Sequence, residues 1–254
     1  MAKLWEIKQS GTPKTVDIYI YSDIRGDSTD WWTGQKIQSE TSANYFKEQL
    51  SQIGELDNIN IYINSLGGSC LEGHAIYNQL KRHSAYKTVY IDGFACSVAS
   101  IIAMAGDKVV MPKNTLMMIH NAWTFAMGNA TELRKCADDL DVMNSAFINS
   151  YLNKAGDKLQ KEELQEMLDK ETYLTAEKCI QYGLADEFAD YDANIEQAKQ
   201  ALQQAKEQGI KQYTERLDKI VALSSHEKKE PSKGKNGIEV LEKVLNAFCN
   251  QYQK

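Results

Sequence analysis

The sequence predicts an α/β fold with mostly parallel strands, and three observations point there. β-rich runs alternate with helical runs from about residue 16 to residue 190. The runs Ile59-Asn-Ile-Tyr-Ile-Asn64 and Tyr86–Ile91 are separated by one helical stretch, residues 71–81. Residues 88–105 then read as a strand, a turn at Asp92-Gly93 and a small-residue apolar helix from Ser97.

The elements follow in order. Residues 16–24 alternate in polarity and read as a strand. The stretch to Ser39 is loop-like, with Trp31-Trp32 inside it as a folded-in anchor or a partner contact. Ser42 to Ile53 carries Tyr45, Phe46, Leu50 and Ile53 on one helical face. After the strand at 59–64 comes Ser65-Leu-Gly-Gly-Ser69, then the helix with Ile76 and Leu80 on one side. Short strands are predicted at 109–111 and 116–119. A long amphipathic helix spans Thr131 to about Lys154, with Leu133, Leu140, Met143, Phe147 and Leu152 as its apolar positions. Another helix covers 159–168. Thr175 can cap a further one through Gln181, with Gly183 at the C′ position.

After Asp190 the character changes. Residues 194–208 are rich in Ala, Gln, Glu and Lys, and 224–237 read as a linker before an amphipathic helix at 238–248. The expected organisation is a domain over 1–190 and a helical extension over 191–254.

Composition narrows the function. The chain has 254 residues, 43% of them hydrophobic and 25% charged, as in a soluble globular protein able to bury a core. A net charge of −6 argues against a nucleic-acid-binding surface. No apolar run reaches the ~18 residues of a membrane-spanning helix, and the charged N-terminus lacks a signal-peptide core. Five cysteines without a CxxC pair read as free thiols in a reducing cytoplasm, with no metal site. No cofactor motif is present.

Ser97 has two readings. It is an N-cap residue, or it is a nucleophile held where free N–H groups and the helix dipole favour an oxyanion. A serine nucleophile needs a base. Of the four histidines, His226 lies in the linker, and His74 and His83 lie on or just after one helix in a polar context. His120 ends an apolar strand beside a loop, where α/β sheets place functional groups. It is either packed or catalytic. Gly67-Gly68 supplies exposed backbone after a strand, a weak signal alone because turns use such pairs freely.

Together these stretches are specific. Ile63-Asn-Ser-Leu-Gly-Gly68, Gly93-Phe-Ala-Cys-Ser97, Met118-Ile-His120, and Thr175-Ala-Glu with Tyr182-Gly-Leu-Ala-Asp186 resemble the proteolytic subunit of the Clp protease. The likeness covers about residues 16–190 in the same order. Ile101-Ile-Ala-Met-Ala-Gly106 and the stretch from Glu171 to Ala176 further resemble the ClpP-like head-maturation proteases of tailed phages and prophages.

The resemblance implies a ClpP/crotonase-like fold of repeated ββα units with a handle helix at 131–154. It implies Ser97 as nucleophile and His120 as general base. The N–H groups of Gly68 and Val98 form the implied oxyanion hole. The third member departs from the family: counting back from Tyr173 reaches Glu171 where the family has Asp, with Asp169 as the alternative acid. Leu66, Cys96 and Val98 replace the family's Pro, Ala and Met. The implied partners are protein or peptide substrates, further copies in a heptameric ring or double ring, and an ATP-dependent unfoldase or a phage scaffold or capsid protein. Two other classes share features with this reading. A crotonase-like acyl-CoA enzyme uses the same fold and a two-amide oxyanion hole without the Ser–His pair. A subunit with a weakened triad serves as a structural assembly protein.

Overall fold

The computed structural model describes residues 5–10, 14–30 and 33–204. In chain order the elements are β1 (Trp5–Ser10), β2 (Thr15–Ile20), the short β3 (Ser28–Thr29) and β4 (Lys36–Ile37), α1 (Ala43–Ile53), β5 (Asn58–Ser65), α2 (Cys70–Arg82) and β6 (Tyr86–Cys96). Then follow α3 (Val98–Ala103), β7 (Lys108–Met111), β8 (Leu116–Ile119), α4 (Ala130–Ala155), α5 (Lys161–Asp169), β9 (Thr172–Thr175), α6 (Ala176–Gln181) and β10 (Glu187–Phe188).

The main sheet runs β1-β2-β5-β6-β7-β10, and β8 and β9 continue from β6. Within the main sheet, among the described residues, β2, β5, β6 and β7 are parallel, as is β10 on β7, while β1 on β2 and β9 on β8 run antiparallel. The α/β architecture is thus the predicted one. Strict alternation sends Val16, Ile18, Ile20, Ile59, Ile61, Ile63, Val89 and Ile91 into the core. On the opposite side of the sheet, Tyr19, Tyr62 and Tyr90 are register partners. Their rings stack at centroid distances of 4.8 and 5.0 Å.

β6 positions the site. Its first half pairs with β5 and β7, and its last residues, Phe94–Cys96, pair with β8. The turn expected at Asp92-Gly93 is absent: the strand runs straight through it. Gly93 is there for space. A Cβ at Gly93 would lie 2.6 Å from Ala198 Cβ and 2.7 Å from Asn64 Oδ1. The chain turns sharply at Ser97 instead.

Other boundaries shift for local reasons. Ser42 caps α1, Asn129 forms a capping box with Glu132 on α4, and Thr175 caps α6. Of the apolar positions of α4, Leu133 is exposed, and the buried face is formed by Phe147, Ile148, Tyr151 and Ala155 near the other end. His74 is not in a polar setting, because α4 covers α2 there and Phe147 lies 4.9 Å from its ring.

Past residue 190, Asn114 exchanges two hydrogen bonds with the Ala193 backbone, and Asn64 Nδ2 donates to Ala198 O at 3.0 Å. The chain's contact with the sheet therefore continues beyond the expected boundary. Trp31-Trp32, the linker at 224–237 with His226, and the helix at 238–248 lie outside the described residues.

Candidate active site

Ser97 sits between β6 and α3 at φ 54° and ψ −133°, a left-handed conformation costly for a residue with a Cβ. The turn is held from both sides. Ser97 N–H donates to Met118 O of β8 at 2.8 Å, and Ser97 O accepts from Ser100 N–H at 2.9 Å and from Ser100 Oγ–H at 2.5 Å. The side chain makes no helix-capping bond. Its Oγ lies 2.8 Å from His120 Nε2. Ser97 thus holds the N-cap position of α3 without using its hydroxyl as a cap, and the Oγ is left to the imidazole.

His120 follows β8 directly, and the pairing of Cys96 with Met118 brings the two strand ends together. Burial pushes the imidazole below its ordinary 6.5, and the charge of Glu171 pulls the other way. A neutral imidazole can accept a proton, the state a base needs.

Glu171 is exposed, at φ 49°. Ser97 and Glu171 are the two non-glycine residues at positive φ among the described residues. The antiparallel register Met118↔Tyr173, Ile119↔Thr172 puts His120 opposite Glu171 at the next step. No hydrogen bond joins their side chains among the described residues. Asp169 is engaged elsewhere: Gln165 Nε2 and Asn121 Nδ2 each donate to it at 2.7 Å and hold its carboxyl below the usual range.

The Gly-Gly loop lies against the serine. Gly67 has φ 99°, and a Cβ there would fall 2.6 Å from Ser97 Cβ. Ile24 N–H donates to Gly67 O, and Ser69 N–H donates to Ile24 O, both at 2.8 Å. This parallel bridge leaves the N–H of Gly68, the residue between, facing away from Ile24. Among the described residues no acceptor takes the N–H of Gly68 or of Val98. Leu66, where the family has proline, is exposed. Cys96 is buried, and burial pushes its thiol up to about 12, so it packs rather than reacts. Ser97 and His120 open onto a small pocket with Cys70, Ile101, Phe147 and Tyr151 on its apolar side.

Two residues at this site escaped the sequence reading. Ser100 lies three positions after Ser97, a spacing at which serine bonds back to the backbone. Its Oγ is also 2.7 Å from Tyr151 OH. Tyr151 follows Phe147 by four residues on α4, so it shares the buried face.

Comparison with known proteins agrees with this geometry. The Clp protease family model matches residues 15–192. The ATP-dependent Clp protease proteolytic subunit of Ligilactobacillus salivarius is 32% identical over 174 residues, 66% of this chain and 85% of that protein. The subunit of the same description from Deinococcus radiodurans is 30% identical over 177 residues, 67% of this chain and 84% of that protein. The family match spans β2 to β10, the Gly-Gly loop, Ser97, His120 and Glu171 in one stretch, and the chain belongs to the Clp protease family, whose implied chemistry is that of a serine peptidase.

Proposed function

We propose that the chain is a serine endopeptidase in which Ser97 is the nucleophile, His120 the general base and Glu171 the orienting carboxylate. The observation that carries this is the 2.8 Å contact between Ser97 Oγ and His120 Nε2. Nε2 takes the hydroxyl proton as Oγ attacks the peptide carbonyl, and the imidazolium then gives that proton to the leaving amine. Glu171 stabilises the imidazolium by its charge. The N–H groups of Gly68 and Val98 receive the developing oxyanion. Water repeats the sequence on the acyl-enzyme.

A fluorophosphonate probe tests this on the purified chain. Labelling at Ser97, lost in Ser97→Ala together with peptide hydrolysis, is the expected result. Labelling at another serine ends the assignment. A crotonase-like enzyme would keep its activity in Ser97→Ala.

Oligomeric ring assembly belongs to the same proposal. Trp123, Phe125 and Met127, just before α4, and Val142 on it are exposed and large. Such a cluster suits a subunit interface. A closed ring with its serines inside would confine an unspecific peptidase to chains that can enter. The partners that follow are protein or peptide substrates and either an ATP-dependent unfoldase, a reading in keeping with the words ATP-dependent in the two relatives' descriptions, or a phage scaffold or coat protein. The reading as a structural assembly subunit draws on one observation, the missing bond between Glu171 and His120, and an unlabelled Ser97 in the assembled protein would favour it.

A further inference from the structure

We propose that Tyr151 is a positioning residue that, through Ser100, holds the Ser97–Val98 peptide so that the Val98 N–H faces the oxyanion. This role rests on the reading of Ser97 as the nucleophile.

The Ser100 hydroxyl has one proton, and it is committed to Ser97 O at 2.5 Å. The 2.7 Å contact with Tyr151 is therefore donated by the phenol and accepted by Ser100 Oγ. The bonds run in one direction, Tyr151 OH to Ser100 Oγ to Ser97 O. Both side chains are buried, Ser100 at 0% and Tyr151 at 2% exposure. Burial raises the Tyr151 phenol well above its ordinary value, and the bond to Ser100 acts against this, so the phenol stays protonated and able to donate. In the low-dielectric interior such a chain of bonds is mutually reinforcing.

What the chain holds is a strained peptide. Ser97 is at φ 54°, a conformation that persists only where the surroundings over-determine it. The Ser97 carbonyl and the Val98 N–H belong to one planar trans peptide and point in opposite directions. Fixing the carbonyl oxygen toward Ser100 and the interior thus aims the Val98 N–H the other way. A rotation of this peptide would relieve φ/ψ strain at Ser97 and remove one of the two oxyanion donors. Tyr151 also lines the pocket beside Ser97. It belongs to α4, so the placement of that 26-residue helix bears on the Ser97 turn through this phenol.

The test is kinetic, on the full chain, with active sites counted by fluorophosphonate titration. Tyr151→Phe keeps the ring and removes the hydroxyl. It is expected to lower kcat about five- to tenfold with KM unchanged, the range for one buried neutral hydrogen bond felt in the transition state. A peptide boronate, whose tetrahedral adduct uses the oxyanion donors, should lose affinity by the same factor. A non-covalent peptide competitor should lose none. Ser100→Ala is expected to lower kcat further, and the double variant should be no worse than Ser100→Ala alone, because both act through one chain of bonds. Ser100→Thr, which keeps a hydroxyl, should recover more of kcat than Ser100→Ala. A Tyr151→Phe protein with a lower Tm but unchanged kcat and boronate affinity per active site would overturn the proposal, as would additive losses in the double variant. If the unaltered protein shows no labelling at Ser97, the peptidase reading fails and this role with it. Labelling at Ser97 with a kinetically silent Tyr151→Phe defeats the positioning role alone.

Discussion

His120 and Glu171 stand opposite each other one step beyond the last pair of the β8–β9 ladder, Ile119 with Thr172. This register supports the proposed Glu171 over Asp169, whose carboxylate accepts bonds from Gln165 and Asn121. Glu171→Gln should lower kcat by about 10²–10⁴, the scale for loss of the orienting acid in a serine triad. Asp169→Asn should cost less than about threefold, since it removes a bond to Asn121 and no charge that the imidazole senses. Steady-state hydrolysis of a fluorogenic peptide distinguishes the two. A larger loss from Asp169→Asn would reassign the acid.

The pH profile follows from the imidazole. Catalysis needs His120 neutral, and burial lowers its pKa below 6.5. Activity should therefore persist as pH falls through 6.5 and be lost only below it. Glu171 acts in the opposite sense by favouring the cation. In Glu171→Gln the acid limb of kcat/KM should move to still lower pH while the plateau drops. A limb that moves upward would mean that Glu171 is not the carboxylate the imidazole senses.

The parts of this site that lie in one local stretch were readable from residues alone. Alternating Ile residues in β2 and β5 announce half-buried strands, and Thr175 with Gly183 brackets α6. Gly93 misled for a physical reason. Glycine serves turns and close packing alike, and only the approach of Ala198, over a hundred residues later, tells which. Leu133 shows that periodicity reports an apolar face but not whether a neighbour covers it. β9 was missed because Thr172–Thr175 is short and gains its strand character from pairing with β8. Ser100 and Tyr151 meet across 51 positions, and no local pattern marks a bond of that separation.

Gly67 offers a test of the loop against the serine. At φ 99° any side chain is strained by about 1–2 kcal/mol, and a Cβ there would press on Ser97 Cβ at 2.6 Å. Gly67→Ala should therefore abolish hydrolysis and fluorophosphonate labelling while lowering Tm by several degrees. The fold should survive, because Gly67 bears on a loop and on Ser97 rather than on the Ile-rich core. Circular dichroism with a labelling assay checks both halves. A fully active Gly67→Ala would mean that the loop does not abut the reacting serine.

The exposed residues before α4 make the last prediction. Trp123, Phe125 and Met127 alternate in sequence and are 69%, 84% and 95% exposed. Residues 120–129 carry no regular secondary structure, and the segment is tied at its two ends, where Ala122 N–H donates to Asn144 Oδ1 and Asn129 N–H to Glu132 Oε2. Burying three such side chains is worth roughly 1.5–3 kcal/mol each, and cyclic symmetry multiplies that gain over every subunit. Replacing all three with serine should leave the monomer folded, since none contributes to the core. It should shift the native mass spectrum from a ring or paired rings to smaller species. Hydrolysis should fall in parallel, because this segment leads directly from His120 into α4, and α4 carries the Tyr151 that holds the Ser97 turn. An unaltered chain that is monomeric at micromolar concentration and fully active would contradict both the ring and this dependence.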